Sequence, residues 1–256
     1  MGKYKGILLL TDFDGTLYTG REIPQNNIDA IKRFCAEGGL FGFSSGRTYR
    51  YFDEWEHLVK ANTFISSVNG TVIYDYPNRR VVSEKFIKDG SYGKIAELCF
   101  GHPQYKNVIV FTRDEVDAVN LPLTDEGMSR LKELMSKPVH KVMFHSNFAI
   151  GNEEKEDITR FLGEDYYVSR SWREGIEIQS SDSTKGAAAR QIKALTGADL
   201  LVCAGDFEND ETMISAADIG YAVANATPEI KAIADRHTVS VGEGAIAAII
   251  DEIGSL

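Results

Sequence analysis

Gly6-Ile7-Leu8-Leu9-Leu10-Thr11-Asp12-Phe13-Asp14-Gly15-Thr16 runs from an unbroken apolar segment straight into two carboxylates. An apolar run without polar alternation is what a strand buried on both faces of a parallel sheet requires. Asp12 and Asp14 leave that strand two positions apart. In extended chain both therefore face one side while Phe13 faces the other. Crowding two acids together is costly unless a cation sits between them or one carries a proton. Either condition is useful: one acid can be metal-bound and nucleophilic while the other exchanges a proton. The competing explanation is an Asx-turn, with Gly15 supplying a permissive backbone.

Outward from this stretch, the pattern alternates. Pro24 is placed to open a helix in which Ile28, Ile31, Phe34 and Cys35 recur at helical spacing until Gly38 and Gly39 stop it. A short apolar strand over residues 40–44, a helix over 48–59 and a strand over 63–66 follow. This β-α-β-α-β order predicts an α/β protein with a Rossmann-like open parallel sheet core. The alternation returns as a helix over 185–195, a strand over 200–204, a helix over 210–216, and further segments over 219–223, 228–234 and 243–253. Between the two halves the texture changes. Asn69-Gly70 opens a hairpin-like stretch over 71–74 and 81–86, two helix-plus-strand units follow, and a strand pair over 166–171 and 176–179 closes the region. Residues 82–180 thus read as an inserted α+β cap domain, and residues 1–81 and 181–256 as the catalytic core whose halves close into one sheet.

A chain of 256 residues that is 43% hydrophobic buries a sizeable core. Its net charge of −10 repels polyanions, so no nucleic acid and no anionic membrane surface is expected as a partner. A small phosphate ester remains acceptable where local cations, including a metal, overcome that background. Cys35, Cys99 and Cys203 are far apart, form no Cys-x-x-Cys pair, and read as buried thiols in a reducing compartment. The N-terminal apolar run is too short to span a bilayer and lacks a cleavage site. The expectation is a cytoplasmic protein, monomeric or a small homo-oligomer.

Ligands of open parallel sheets collect beyond the carboxyl ends of the strands. Three more segments lie there. Ser44-Ser45-Gly46-Arg47 follows the second strand; a hydroxyl with free backbone N–H groups forms an anion site, although taken alone the segment is better explained as an ordinary helix N-cap by Ser44 or Ser45. In Ser183-Thr184-Lys185-Gly186, a lysine in the first helical turn opposes the macrodipole unless something anionic is nearby, and the alternative is a solvated surface lysine. Gly205-Asp206-Phe207-Glu208-Asn209-Asp210-Glu211 offers hard oxygen ligands suited to magnesium. Asp206 is best placed to bind the ion, with Asn209 and Asp210 orienting it; helix capping explains Glu208 and Glu211.

DFDGT, SSGR, STKG and GDFENDETM together resemble the four motifs of the haloacid dehalogenase superfamily, which is mostly phosphatases. The segment VANATPEIKAIAD resembles its Cof-type, class IIB branch with a large second cap. Consistent with that branch, the stretch from Ser45 to Lys185 far exceeds the roughly 30 residues of one βαβ unit. The cap therefore lies between the second and third motifs. The resemblance implies that Asp12 attacks phosphorus and ligates Mg2+. It implies that Asp14 handles the proton while its backbone carbonyl meets the metal, and that Asp206 completes the metal's protein ligands. Ser45, Gly46 and Lys185 would hold the phosphoryl oxygens, Asn209 and Asp210 would support the ion, and Arg47 and Asn69 would approach substrate or form an ion pair and a turn. The expected activity is Mg2+-dependent hydrolysis of a small phosphomonoester through an aspartyl-phosphate. The rival is a catalytically idle, phosphate-binding regulatory module on the same fold. Two departures stand out: Ser45 where threonine is frequent, and VANAT in place of a methionine-glycine-asparagine stretch.

Overall fold

The computed structural model describes residues 2–114 and 118–255. The chain divides into two compact units, one of Met1–Ser83 with Thr184–Leu256, the other of Glu84–Ser183.

The first unit is built on a five-stranded sheet with strands β1 (Ile7–Thr11), β2 (Leu40–Phe43), β11 (Leu200–Gly205), β12 (Ile219–Ala222) and β13 (Arg236–His237) in the order β13-β12-β11-β1-β2. Every pairing is parallel. Leu8, Leu9 and Leu10 have no exposed surface because helices cover both faces of the sheet. On one face α1 (Gln25–Ala36) and α8 (Ala245–Ile253) pack Ile28, Ile31, Phe34, Ile246 and Ile250 against Leu9. On the other, α5 (Lys185–Thr196), α6 (Glu211–Ala216) and α7 (Pro228–Ile233) bring Ile192, Met213 and Ile230 to Leu8 and Leu10. This double cover is why the central strand carries no polar alternation.

The structure corrects the sequence reading in two places here. The segment after Arg47 is a 3-10 helix, Tyr49–Trp55, rather than an α-helix over 48–59. It is aromatic-rich and therefore a poor α-former; Phe52 and Trp55 instead close edge-on around Phe13. The third strand, β3 (Phe64–Ser67), does not join the parallel sheet as a full member. A single bridge between Ser44 and Ser66 links it, and it then pairs antiparallel with β4 (Val72–Asp75) in a three-stranded sheet, β3-β4-β5, closed by β5 (Arg80–Glu84).

The second unit is an antiparallel sheet in the order β7-β6-β8-β10-β9, formed by β6 (Tyr105–Thr112), β7 (Val119–Pro122), β8 (Val139–Ser146), β9 (Tyr166–Ser169) and β10 (Gly175–Ser180). Among the described residues three helices, α2 (Tyr92–Gly101), α3 (Asp125–Leu134) and α4 (Asn152–Leu162), stand where the sequence suggested two helix-plus-strand units. Alternate residues Val108, Val110, Val142, Phe144, Ile176 and Ile178 share a core with Ile95, Leu131 and Ile158 of those helices. The intervening positions include Lys141 and Glu177, a buried ion pair at 2.6 Å. Among the described residues no helix is long and apolar enough to cross a membrane.

Candidate active site

Parallel pairing of β1 with β11 places Thr11 beside Ala204, so the chain leaves both strands at the same level. The Asp12 N–H extends the ladder by donating to the Ala204 carbonyl at 2.9 Å. One turn further along the second exit, Asp210 folds back: its Oδ2 accepts the backbone N–H groups of Asp206 at 2.9 Å and Phe207 at 3.3 Å. As a result, Asp12, Asp206 and Asp210 each present a carboxylate oxygen within 4.8 Å of the others. Residues distant along the chain thus meet at one strand edge.

Lys185 enters this cluster from the first turn of α5. Its ammonium is fully buried and lies 2.6 Å from Asp12 Oδ1 and 2.6 Å from Asp210 Oδ1. The unfavourable placement of a lysine at a helix start is thereby resolved, since the anions it needs are the protein's own carboxylates. Burial pulls the Lys185 ammonium down, but Asp12 and Asp210 outweigh it, and the group is held above its ordinary value. Burial also drives Asp12 well above the usual carboxylate range against the pull of Lys185, with Asp210 and Asp206 adding to the rise. Asp206 is pushed up to about 7 by burial first and by Asp210 second. When all three carboxylates are ionised, the one ammonium leaves an excess of negative charge that a divalent cation would offset. Hard oxygen donors on converging strand ends are the set that magnesium takes. The residues present fit that ion.

Asp14 lies outside this cluster. Its half-exposed side chain faces Arg47, whose Nε and Nη2 donate to its two oxygens at 2.9 and 3.0 Å. The Arg47 guanidinium lies over the Tyr51 ring, 4.6 Å from its centre. Ser45 is buried at the end of β2, where its Oγ accepts the Arg47 N–H at 3.2 Å and its carbonyl accepts the Asn69 N–H at 2.9 Å. Gly46 stands between Ser45 and Arg47 in this loop. Asn69 in turn accepts from the Asn209 carboxamide at 3.2 Å. The structure therefore links Asp14, Arg47, Ser45, Asn69 and Asn209 by a chain of hydrogen bonds, and separately brings together Asp12, Lys185, Asp206 and Asp210.

Several supporting features were not legible in the motifs. Val68, Asn69 and Gly70 are successively left-handed, with φ of 51°, 57° and 95°. A β-branched residue in that region is strained. The turn brings Gly70 so close to the Thr184 carbonyl that a Cβ would sit 2.3 Å from it. Gly15, at φ 87°, passes Asp206 with room for no side chain, since a Cβ would lie 2.5 Å from Asp206 Oδ2. Thr16 donates to Asp206 Oδ1 at 3.1 Å, and the Thr227 N–H donates to the Asp206 carbonyl at 2.9 Å.

Residues 9–250 match the family of haloacid dehalogenase-like hydrolases, and the chain belongs to that family. It is a phosphoric monoester hydrolase by class. Among its curated relatives, the 5-amino-6-(5-phospho-D-ribitylamino)uracil phosphatase YitU of Bacillus subtilis is 25% identical over 98% of this chain and 99% of its own. The phosphoglycolate phosphatase of Sulfurisphaera tokodaii is 26% identical over 89% of this chain and 85% of its own. In fold the chain is similar to the HAD subclass IIB sugar phosphatase BT4131, with a TM-score of 0.80 at 20% identity, covering 97% of this chain and 99% of that one.

Proposed function

We propose that this enzyme is a Mg2+-dependent phosphatase of a small phosphomonoester, a sugar phosphate or a similar metabolite, working through an aspartyl-phosphate on Asp12. The observation that carries the proposal is Lys185 buried between Asp12 and Asp210 in a cluster that keeps surplus negative charge. Asp12, Asp206 and the main-chain carbonyl of Asp14 would hold the ion, with Asn209 and Asp210 orienting it. When bound, magnesium supplies positive charge to the phosphoryl oxygens.

In the first half-reaction, an Asp12 carboxylate oxygen forms a bond to phosphorus as the bond to the leaving oxygen breaks, and Asp14 gives that oxygen its proton. Then water attacks the aspartyl-phosphate, its proton passes to Asp14, and inorganic phosphate leaves with Asp12 restored. Lys185, the Ser45 hydroxyl and the Gly46 N–H hold the transferring oxygens as charge moves onto them. Arg47, fixed by its fork on Asp14, orients that carboxylate and stands where a substrate anion arrives. The names of the full-length relatives point to compact phosphomonoesters as substrates. Three free cysteines suit a reducing, cytoplasmic setting.

The test is release of phosphate from p-nitrophenyl phosphate and a panel of sugar phosphates, with and without Mg2+. Wild type turns over only with the metal, while Asp14→Asn loses turnover and keeps its circular dichroism and melting temperature. Absence of metal-dependent release from every ester supports the idle-module reading instead.

A pH dependence follows from the raised carboxyls. Asp12 and Asp206 sit above an unfolded value of about 3.9. Between that value and about 7 for Asp206, these two carboxyls hold more protons in the metal-free native state than in the unfolded chain, so their contribution to stability falls as pH rises. Melting of the metal-free protein at pH 5 and pH 8 should show the higher temperature at pH 5, and saturating Mg2+ should narrow the gap. An Asp206→Asn variant whose metal-free melting temperature changes from pH 5 to 8 as the wild type's does contradicts the assignment.

A further inference from the structure

The segment between β12 and α7, where VANAT stands, supplies none of the acids and not the lysine of the site, yet its side chains and backbone reach the loops after β1 and β11. Asn225 is exposed to solvent, but both ends of its carboxamide are engaged: Nδ2 donates to the Gly15 carbonyl at 2.8 Å and Oδ1 accepts the Val241 N–H at 2.9 Å. Two residues on, the Thr227 N–H donates to the Asp206 carbonyl at 2.9 Å. One short loop therefore holds the turn after Asp14 and the backbone of Asp206 at once.

Gly15 is where such a hold matters. It is a left-handed glycine, φ 87°, and glycine peptides rotate with little steric resistance. On one side of it is Asp14, and on the other is Thr16, whose hydroxyl donates to Asp206 Oδ1 at 3.1 Å. Gly15 itself skirts Asp206 too closely to admit a Cβ. Rotation of the Gly15-Thr16 peptide would move the Thr16 hydroxyl off Asp206 and reorient the Asp14 main chain. The Gly15 N–H, bonded to the Tyr18 carbonyl at 2.9 Å, fixes one side of the residue. The Gly15 carbonyl is fixed by Asn225.

We infer that Asn225 is a positioning residue: by pinning the Gly15 carbonyl it sets Asp14 and Asp206 in register for magnesium. Its carboxamide bonds only backbone, the Gly15 carbonyl and the Val241 N–H, so it would act through Gly15, and the inference rests on the magnesium-dependent reading above. Partners that orient metal ligands are commonly worth 10–100-fold in metal affinity.

The test is a calorimetric Mg2+ titration of the full chain, with kinetics on p-nitrophenyl phosphate, for wild type, Asn225→Ala and Lys231→Met. Lys231 bonds the same loop, at the Ala224 carbonyl and 2.6 Å, without reaching Gly15. Asn225→Ala should bind Mg2+ about 10–100-fold more weakly. At fixed subsaturating Mg2+ its kcat should fall with KM nearly unchanged, and excess Mg2+ should recover most of the loss. Its metal-free melting temperature should stay close to wild type, and Lys231→Met should bind Mg2+ as wild type does. Wild-type Mg2+ affinity in Asn225→Ala overturns the inference. So does an equal loss in Lys231→Met, which assigns the effect to the loop at large. A wild-type protein that neither binds Mg2+ nor turns over ester defeats the functional proposal instead.

Discussion

Asp12→Asn is expected to lower turnover by about 10,000-fold or more, the scale seen when a covalent nucleophile is removed from an otherwise intact site. The carboxamide has the shape of the carboxylate, and its oxygen can still accept from Lys185 at the 2.6 Å position. What it lacks is an anionic oxygen able to bond phosphorus. The same change removes one charge from a cluster of three carboxylates whose mutual repulsion and burial already push Asp12 and Asp206 upward. The metal-free variant should therefore melt no lower than wild type, and higher near pH 8, where the lost repulsion matters most. Turnover and melting curves on one preparation read both arms. Activity within tenfold of wild type would remove Asp12 from the chemistry.

Lys185→Met should damage stability and catalysis together. With its ammonium gone, Asp12 and Asp210 face each other without the counter-charge bonded to both. Breaking a buried pair by deleting one partner costs about 3–5 kcal/mol. The deficit should be largest at neutral pH in the absence of metal and should shrink toward pH 4, as carboxyls in the cluster take up protons. Added Mg2+ should recover part of the stability by replacing charge, but not the donor on the transferring oxygens, so turnover stays down by about 100–1,000-fold. Calorimetric melting across pH with and without Mg2+, beside the rate on an aryl phosphate, tests this. Wild-type stability in the metal-free variant at pH 7 would show that the lysine is not the counter-charge described.

These two effects differ because the two residues do different electrostatic work in one place. Asp12 is a charge the fold tolerates against its own burial. Lys185 is a charge the fold needs, and α5 delivers it from its least favourable turn because Asp12 and Asp210 wait there.

How much of this could be read beforehand follows from the range of each interaction. The strand from Ile7, its abrupt end at Asp12, and the helices around it were legible because side-chain periodicity is a local property. The positions of Asp206 and Lys185 at strand and helix mouths were legible for the same reason. The fork of Arg47 on Asp14, by contrast, stood in the sequence only as one of two open possibilities. The 3-10 helix after Arg47 and the departure of β3 into its own antiparallel sheet were misread, since aromatic packing around Phe13 and the pairing of β3 with β4 decide them.

By itself the amino-acid sequence determined the alternation of strands and helices, the identity of the acids and the lysine at their ends, and the family to which the chain belongs. Only the tertiary structure decided which oxygen of Asp210 meets Lys185, why Gly15 and Gly70 leave no room for a side chain, and that Asn225 reaches back to the Gly15 carbonyl. Periodicity and end signals act over a few residues and leave their trace in local spelling. A side chain bonding a backbone carbonyl 210 positions away leaves none, because any backbone carbonyl offers the same acceptor and only packing selects which one is near.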